Sequence, residues 1–253
     1  MQHAIELSPA SAFEPQAGVM DESYAHMRNV SAALKFRLRA RAQIVSRAWK
    51  RHGGGKAPYV LDLGAAEGRT LVEIARQVGH GTYTGIELDS GLLAAAQPLP
   101  KGIQLIQGNV CQLPEGLVER SFDLAALLAV LEHLPNPASA LSEARRVLRR
   151  GGLLVATCPN PFWDRVAGRL GLVRGDHHVQ QLDLASLSNL VADAAFEIIE
   201  ARRFMWAPLA VLPYLRLPVN VKTAAAIDAL VRRVPLLNKL CVNAYVVARK
   251  PRT

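Results

Sequence analysis

The residues that could do chemistry in this chain begin in the segment 60–70, VLDLGAAEGRT. An apolar run ends at Asp62, and a loop of small residues that includes Gly64 and Gly68 follows it. After this loop, apolar residues recur at helical spacing. A glycine loop that leads into a helix start leaves backbone N–H groups accessible, so a polar or charged ligand can approach closely. The pattern therefore predicts a ligand site at this turn.

An acidic residue stands at the corresponding place in the next predicted strand, 82–87. Glu87 ends this strand, and a carboxylate there can accept two hydrogen bonds from a ribose diol. A glycine loop and an acid in this order indicate a nucleoside-containing cofactor. The dinucleotide pattern G-x-G-x-x-G fails because Ala66 and Arg69 stand at its second and third glycines, and no phosphate-loop Gly-Lys-Ser/Thr follows. A ligand without phosphates is therefore favoured.

Three histidines are candidates for a general base. His133 follows the predicted fourth strand, in the segment LEHLP, and His177 and His178 lie in the segment after the fifth strand. A histidine beside a bound hydroxyl group can take up its proton near neutral pH. The alternatives stay open: Glu132 and His133 could simply close the turn after the strand and line the cofactor pocket, and at least one of His177 and His178 could be a surface-loop histidine.

The apolar pattern predicts an alternating scaffold for these residues. From residue 58 to residue 203 predicted strands and helices alternate, which indicates an α/β fold with a mostly parallel sheet and helices on both faces. Ligands bind beyond the carboxyl ends of the strands in such a sheet. The predicted strands are 58–63, 82–87, 103–107, 122–128, 153–158 and 196–203, and the predicted helices are 69–78, 90–96, 137–149 and 183–194.

Together these motifs resemble those of the class I S-adenosylmethionine-dependent methyltransferases, in particular methyltransferase type 11 and the ubiquinone-biosynthesis O-methyltransferases. The loop 62–68 is similar to the family motif D-x-G-x-G-x-G. The segments 108–114 and 121–161 resemble the family's third-strand motif and its block from the fourth to the fifth strand. The resemblance covers residues 58–203, and the segment 241–250 resembles the last, antiparallel strand of a Rossmann-like seven-stranded sheet.

The resemblance implies that S-adenosylmethionine is the cofactor and S-adenosylhomocysteine the product. Glu87 would hold the ribose hydroxyls, and Asn109, which replaces a more usual Asp, would face the adenine amino group. Ala66 adds a methyl group to the loop, which a negative φ would tolerate. The cofactor-binding residues implied in this way are Asp62, Gly64, Ala65, Ala66, Gly68, Glu87, Leu88, Asn109, Val110, Cys111 and Leu128.

The implied reaction is an in-line displacement at the sulfonium methyl group, for which the protein aligns a nucleophile and excludes water. A hydroxyl nucleophile needs a base, and His133 and His178 are the catalytic candidates. Part of the ubiquinone type binds a metal through an acid three residues before the Glu of its Glu-His pair. Ala129 stands there, so we expect no metal. The segment NPFW at 160–163 follows the fifth strand and not the fourth, which argues against an adenine N-methyltransferase.

Composition limits the organisation of the chain. Its 253 residues, half of them apolar, fit one domain with additions. Three cysteines far apart are typical of reduced thiols in a cytoplasmic protein, and no stretch predicts a signal peptide or a membrane-spanning helix. The predicted organisation is a flexible arm at 1–19, a helical lid at 20–57 and an S-adenosylmethionine-binding domain at 58–253 with insertions at 159–182 and 204–240.

Charge is unevenly distributed along the chain, whose net charge is +9. Residues 30–58 carry eight Lys and Arg and no acid, and residues 201–253 carry ten against one acid, Asp228. Such basic flanks indicate an anionic partner or merely a solvated surface. The segment 204–240 fits a cap for a hydrophobic substrate that also contacts an anionic membrane from its inner face, or a helical hairpin packed on the sheet. Few aromatic residues accompany the cations, which argues against nucleic acid as a partner.

The sequence leaves three functions open. The first is a methyltransferase acting on a small-molecule acceptor, by O-methylation of a hydrophobic or anionic metabolite such as a lipid, a quinone or a lipid-linked sugar. The second is a nonenzymatic methyltransferase-like module that binds a partner, and the third is an RNA methyltransferase. The intact loop, Glu87 and His133 favour the first. The pattern predicts neither the acceptor nor the oligomeric state.

Overall fold

The structure is a computed structural model that describes residues 22–117, 121–169 and 179–252. Its strands are β1 (Tyr59–Leu63), β2 (Thr82–Glu87), β3 (Ile103–Gln107), β4 (Phe122–Leu128), β5 (Leu148–Pro159), β6 (Glu197–Trp206) and β7 (Cys241–Arg249). They form one seven-stranded sheet in the order β3-β2-β1-β4-β5-β7-β6. Strand β7 lies between β5 and β6 and runs antiparallel to both, whereas the other strands are parallel to one another. The predicted fold class is confirmed.

Helices cover both faces of this sheet. They are α1 (Glu22–Val30), α2 (Ala32–His52), α3 (Arg69–Val78), α4 (Ser90–Ala94), α5 (Pro137–Val147), α6 (Pro161–Arg169), α7 (Leu184–Asp193), α8 (Ala207–Val211), α9 (Val221–Val231) and α10 (Pro235–Lys239), with 3-10 turns at Leu131–His133 and Leu212–Leu215. Side chains alternate between the faces along β4, as the period of a strand requires. Ala125 and Leu127 pack with α5 and α7 in one hydrophobic cluster, and Leu124 and Ala126 pack with α2 and α3 in the other.

The N-terminal segment 20–57, for which the sequence predicts a helical lid, contains two helices with different positions. Ser31 separates them and caps α2, because its hydroxyl accepts a hydrogen bond from the Leu34 N–H group. Helix α2 packs on the sheet through buried residues such as Trp49. Helix α1 lies over the loop after β1, where Ala25 packs against Ala66. The short first helix therefore adjoins the loop of the predicted ligand site.

The segment between β6 and β7 is helical and packed on the sheet. Asp228 of α9 is buried, and its carboxylate accepts hydrogen bonds from the N–H groups of Met205 at 2.8 Å and Trp206 at 2.9 Å. These bonds fix α9 against the end of β6, which extends to Trp206 and not only to the predicted residue 203. In the part of the chain that the structure describes, we find no helix of the length and apolarity that crossing a membrane requires.

Candidate functional site

The loop after β1 is a tight turn held against β2. The N–H groups of Gly64 and Ala65 both donate to the carbonyl oxygen of Ile86, at 2.8 and 2.9 Å. Gly64 and Gly68 have φ angles of +81° and +80°, which glycine adopts without the steric penalty of a Cβ atom. A Cβ atom at Gly64 would also come within 2.5 Å of Val130 Cγ2. Position 64 therefore requires glycine for two separate reasons, the positive φ and the close approach of the Val130 side chain.

Ala66 does not have the negative φ that would tolerate its methyl group without strain. Its φ is +49°, in the left-handed region that costs a residue with a Cβ atom about 1–2 kcal/mol. Two contacts hold it there: its N–H group donates to Glu87 Oε2 at 2.8 Å, and its methyl group packs against Ala25 and Leu92. The Ala66 methyl group, which stands where the family motif has glycine, thus supplies an apolar contact for α1. A sequence pattern does not show this because both contacts come from distant segments.

Glu87 is oriented by three backbone N–H groups at the carboxyl end of β2. Oε2 accepts from Ala66, and Oε1 accepts from Leu88 at 2.8 Å and from Asp89 at 3.0 Å. Burial raises the pKa of Glu87, and these backbone hydrogen bonds oppose the shift. A carboxylate has about four acceptor positions, so this arrangement leaves capacity for a further donor at the strand end, as a ribose diol requires.

Asp62 is a second buried acid at the same edge of the sheet. Its side chain is only 2% exposed, and within the described ranges Oδ2 has no hydrogen-bond partner. The pKa of Asp62 is raised to about 7, chiefly by burial; the charge of Arg28 opposes this shift, and the charge of Glu87 adds to it. A buried carboxylate without a full set of partners is costly, so Asp62 is suited to receive a cationic group such as an ammonium.

Arg28 is a candidate site residue that sequence reasoning missed. Helix α1 brings its Nε to 3.2 Å from Glu67 Oε1, and its Nη2 donates to Thr70 Oγ1 at 2.6 Å. Arg28 and Glu67 are 8% and 2% exposed, so the charges meet out of water beside the start of α3. A guanidinium group in this place can bind a carboxylate. The spacing of residues in the sequence gives no indication of this role, because the residues that Arg28 contacts lie about forty residues further along the chain.

The ends of β3 and β4 complete the predicted cofactor set. Asn109 follows β3, and its Oδ1 accepts a hydrogen bond from the Cys111 N–H group at 2.8 Å. Val110 is buried in the core, and Leu128 is the buried last residue of β4. Since β3, β2, β1 and β4 are neighbours in the sheet, all these residues lie along one edge. The Asn109 oxygen keeps a second lone pair, and its role toward adenine stays a prediction.

His133 ends the 3-10 turn that follows β4, at this same edge. Glu132 beside it is buried, and its carbonyl oxygen accepts the N–H group of Val179 at 2.9 Å. The chain after α6 therefore returns to this turn. His178, the other predicted base, and its neighbour His177 lie outside the described residues, so their roles stay predictions. His133 is the one predicted base whose place the structure gives.

The turn after β4 also contains Ala129, the residue at the position of the acid that binds metal in part of the ubiquinone type. Its φ is +60°, and its N–H group donates to the Thr157 carbonyl oxygen at 3.0 Å. Among the residues whose placement is described, no group of three His, Cys, Asp or Glu side chains could hold a metal ion. The expectation of a reaction without metal stays a prediction.

Comparisons with known proteins agree on one class. A family model described as "Methyltransferase domain" matches residues 61–156. A ubiquinone biosynthesis O-methyltransferase of Paracidovorax citrulli is 30% identical over 164 residues, which cover 59% of this chain and 68% of that protein. A protein of Mycolicibacterium smegmatis named "Probable S-adenosylmethionine-dependent methyltransferase" is 30% identical over 142 residues, 55% of this chain. This chain spans only about half of that relative's length, 52%.

A solved structure supports the fold along nearly the whole chain. A chain of the complex between the Haloferax volcanii Trm112 methyltransferase activator and a methyltransferase superposes with a TM-score of 0.66. The match covers 92% of this chain and 96% of that chain, at 16% sequence identity. At this identity the likeness concerns the fold alone. The arrangement of helices around the seven strands is thus one that a known protein also adopts.

Proposed function

We propose an activity for this chain, which belongs to the class I S-adenosylmethionine-dependent methyltransferases: transfer of the cofactor's methyl group to a hydroxyl group of a small, hydrophobic or anionic acceptor. One observation carries the proposal. The ends of four neighbouring strands place the glycine loop, Glu87, Asn109 and His133 along one edge of the sheet. This edge therefore carries groups that can bind a nucleoside. His133, the candidate general base, lies beside them.

The residues present fit S-adenosylmethionine, the cofactor of this family. Asp62, with its unpartnered oxygen, would bind the ammonium group of the methionine half, and Arg28 would bind the carboxylate. Glu87 would accept hydrogen bonds from the ribose hydroxyls. When bound, the cofactor supplies an electrophilic methyl group. The protein's own part is to orient both reactants and to keep water away.

His133 would take the proton of the acceptor hydroxyl. An imidazole can do so near neutral pH if it lies within hydrogen-bond reach of the acceptor. The Paracidovorax relative is by name an O-methyltransferase, which supports an oxygen nucleophile. Residues 179–182 adjoin the turn that carries His133, so this segment would form one wall of the acceptor site.

We expect His133→Ala to slow methyl transfer by about 10²–10⁴-fold and to leave the affinity for S-adenosylhomocysteine unchanged. The assay measures S-adenosylhomocysteine formed from S-adenosylmethionine with panels of phenols, quinols, hydroxylated lipids, carboxylic acids and amines. His80→Ala, at an exposed position after α3, is the matched control. Turnover with amines alone, or equal rates for wild type and His133→Ala, would rule out the proposed O-directed chemistry.

We also expect S-adenosylhomocysteine to bind more tightly as the pH rises toward about 7, the pKa of Asp62. The bound ammonium group favours the ionised carboxylate, so below this pKa binding must release a proton. The dissociation constant should therefore fall with rising pH, by at most about tenfold per pH unit, and become constant above the pKa. Isothermal titration over a pH series measures this profile.

Two controls identify the titrating group. Asp62→Asn should flatten the profile because no proton remains to be released. Methylthioadenosine, which lacks the amino and carboxyl groups, should show no such dependence with the wild-type protein. An identical pH profile for both ligands would show that Asp62 does not meet the ammonium group.

A further inference from the structure

The outer surface of the segment between β6 and β7 is unusually apolar. Twelve large apolar side chains are highly exposed among the described residues, and seven of them lie within residues 211–236. Contiguous exposed apolar area on a protein indicates an interaction site. We call the exposed residues of 207–240 the cap surface. The seven apolar residues are Val211, Tyr214, Leu215, Leu217, Leu230, Val234 and Leu236.

The charges of the cap surface are all positive. The one acid of the segment 207–240, Asp228, is buried, and both of its carboxylate oxygens already accept backbone N–H groups. The exposed cations therefore have no exposed acid within the segment to neutralise them. The exposed cations are Arg216, Lys222, Arg233 and Lys239.

The positive charge continues from the cap surface onto α2. The Arg37 guanidinium carbon lies 5.7 Å from the centre of the Tyr214 ring, a cation–π contact that joins the two. Helix α2 contains no acid. The side of α2 that carries Arg37, Arg47 and Arg51 forms one basic and apolar face with the cap surface. The basic residues of α2 are Lys35, Arg37, Arg39, Arg41, Arg47, Lys50 and Arg51.

An open cavity lies where α2 and α9 meet β6 and β7, with an excess of cations around it. Arg47, Arg51, Arg202 and Arg232 line it together with the acids Glu200 and Asp228. Glu200 is already engaged by His52, Arg51, Arg202 and the Tyr245 hydroxyl. Burial lowers the pKa of Arg47, the nearby charges of Arg51 and Arg232 lower it further, and Tyr245 and Asp228 oppose this shift. The cavity is therefore suited to a compact anion.

We infer that the cap surface and the basic side of α2 form a docking site for an anionic phospholipid bilayer. Exposed leucines and valines gain free energy in the acyl region, and the surrounding Lys and Arg side chains attract anionic headgroups. The arginine-lined cavity accommodates a headgroup phosphate. Six of the seven exposed apolar residues are aliphatic, whereas single-stranded nucleic acid is bound by stacking on aromatic rings. The inference is independent of the acceptor proposed above.

The test is sedimentation of the full chain with vesicles of phosphatidylcholine alone or mixed with phosphatidylglycerol. We expect binding to the mixed vesicles only, reduced by salt. Lys222→Gln with Arg233→Gln should weaken it about tenfold or more, and Leu215→Ser with Leu236→Ser should weaken it comparably. These four side chains are exposed, so folding should be retained, and S-adenosylhomocysteine titration of each variant checks this.

Two matched control variants change residues outside this face. One removes two positive charges, as the first test variant does, and the other removes an exposed apolar side chain. Lys56→Gln with Lys101→Gln and the single change Ile198→Ser lie at exposed positions outside the face and should bind vesicles like the wild type. Equal binding to neutral and anionic vesicles, equal losses in the control variants, or retention of RNA in place of vesicles would overturn the inference.

Discussion

We expect Glu87→Ala to weaken the binding of S-adenosylhomocysteine by about 100-fold or more. Two hydrogen bonds from ribose hydroxyls to a charged acceptor contribute about 1.5–3 kcal/mol each. The substitution also removes the acceptor of the Ala66 N–H group at 2.8 Å, which holds the loop in its left-handed turn. Isothermal titration measures the loss directly. It needs no knowledge of the methyl acceptor.

Two variants separate the role of the Glu87 carboxylate from general damage. Glu87→Gln keeps the size of the side chain and one acceptor oxygen, so an intermediate affinity is expected. Glu197→Ala, at the exposed first residue of β6, removes an acid from a strand far from the loop and should leave binding unchanged. A well-folded Glu87→Ala protein with wild-type affinity would refute the proposed cofactor site.

The second large effect is expected for Arg28→Met, which should weaken cofactor binding by about 10–100-fold and also lower stability. A charge-assisted contact to the methionine carboxylate is lost, worth about 1.5–3 kcal/mol. In addition, Glu67 loses the nearer of its two guanidinium partners, at 3.2 Å, and keeps only Arg69 at 3.7 Å, and removal of one partner of a buried pair is destabilising. Titration with S-adenosylhomocysteine measures the first effect, and chemical denaturation measures the second.

The double variant Arg28→Met with Glu67→Gln distinguishes the two causes. It also removes the Glu67 carboxylate that would otherwise keep only the more distant Arg69, so stability should recover toward the wild type. Cofactor binding should stay weak if Arg28 itself contacts the carboxylate. Recovery of both quantities would mean that Arg28 acts only through Glu67. Arg39→Met, which removes an exposed cation of α2, is the matched control and should change neither.

The surface inference and the site predictions address different faces of the molecule. The site lies at the carboxyl ends of β1 to β4, whereas the cavity and the cap surface lie against β6, β7 and α2. A hydrophobic acceptor held in a bilayer would connect them, because docking would bring the enzyme to its substrate. The outcome of the vesicle experiment does not depend on the outcome of the cofactor titrations, so the docking surface and the cofactor site are tested separately.

The sequence by itself determined the alternating scaffold and the order of the strand-end motifs. Strands β2, β3 and β4 have the predicted bounds because strand and helix periods are local properties of a buried chain. The local pattern does not predict where β5 begins. The strand begins at Leu148, which pairs with Phe122 of β4 before the register between β4 and β5 shifts. That extension depends on a neighbouring strand, so the local pattern placed the start of the strand at residue 153.

Only the tertiary structure decided which distant groups complete the site. It places Arg28 against Glu67 and Thr70, and it holds Ala66 at a positive φ through Glu87 and α1. It also buries the one acid of the cap segment, Asp228, and leaves four cations and four leucines of that segment exposed. These features arise from contacts between residues far apart in the chain. Local periodicity and spacing contain no information on such contacts, because burial and charge pairing are set by how the elements pack.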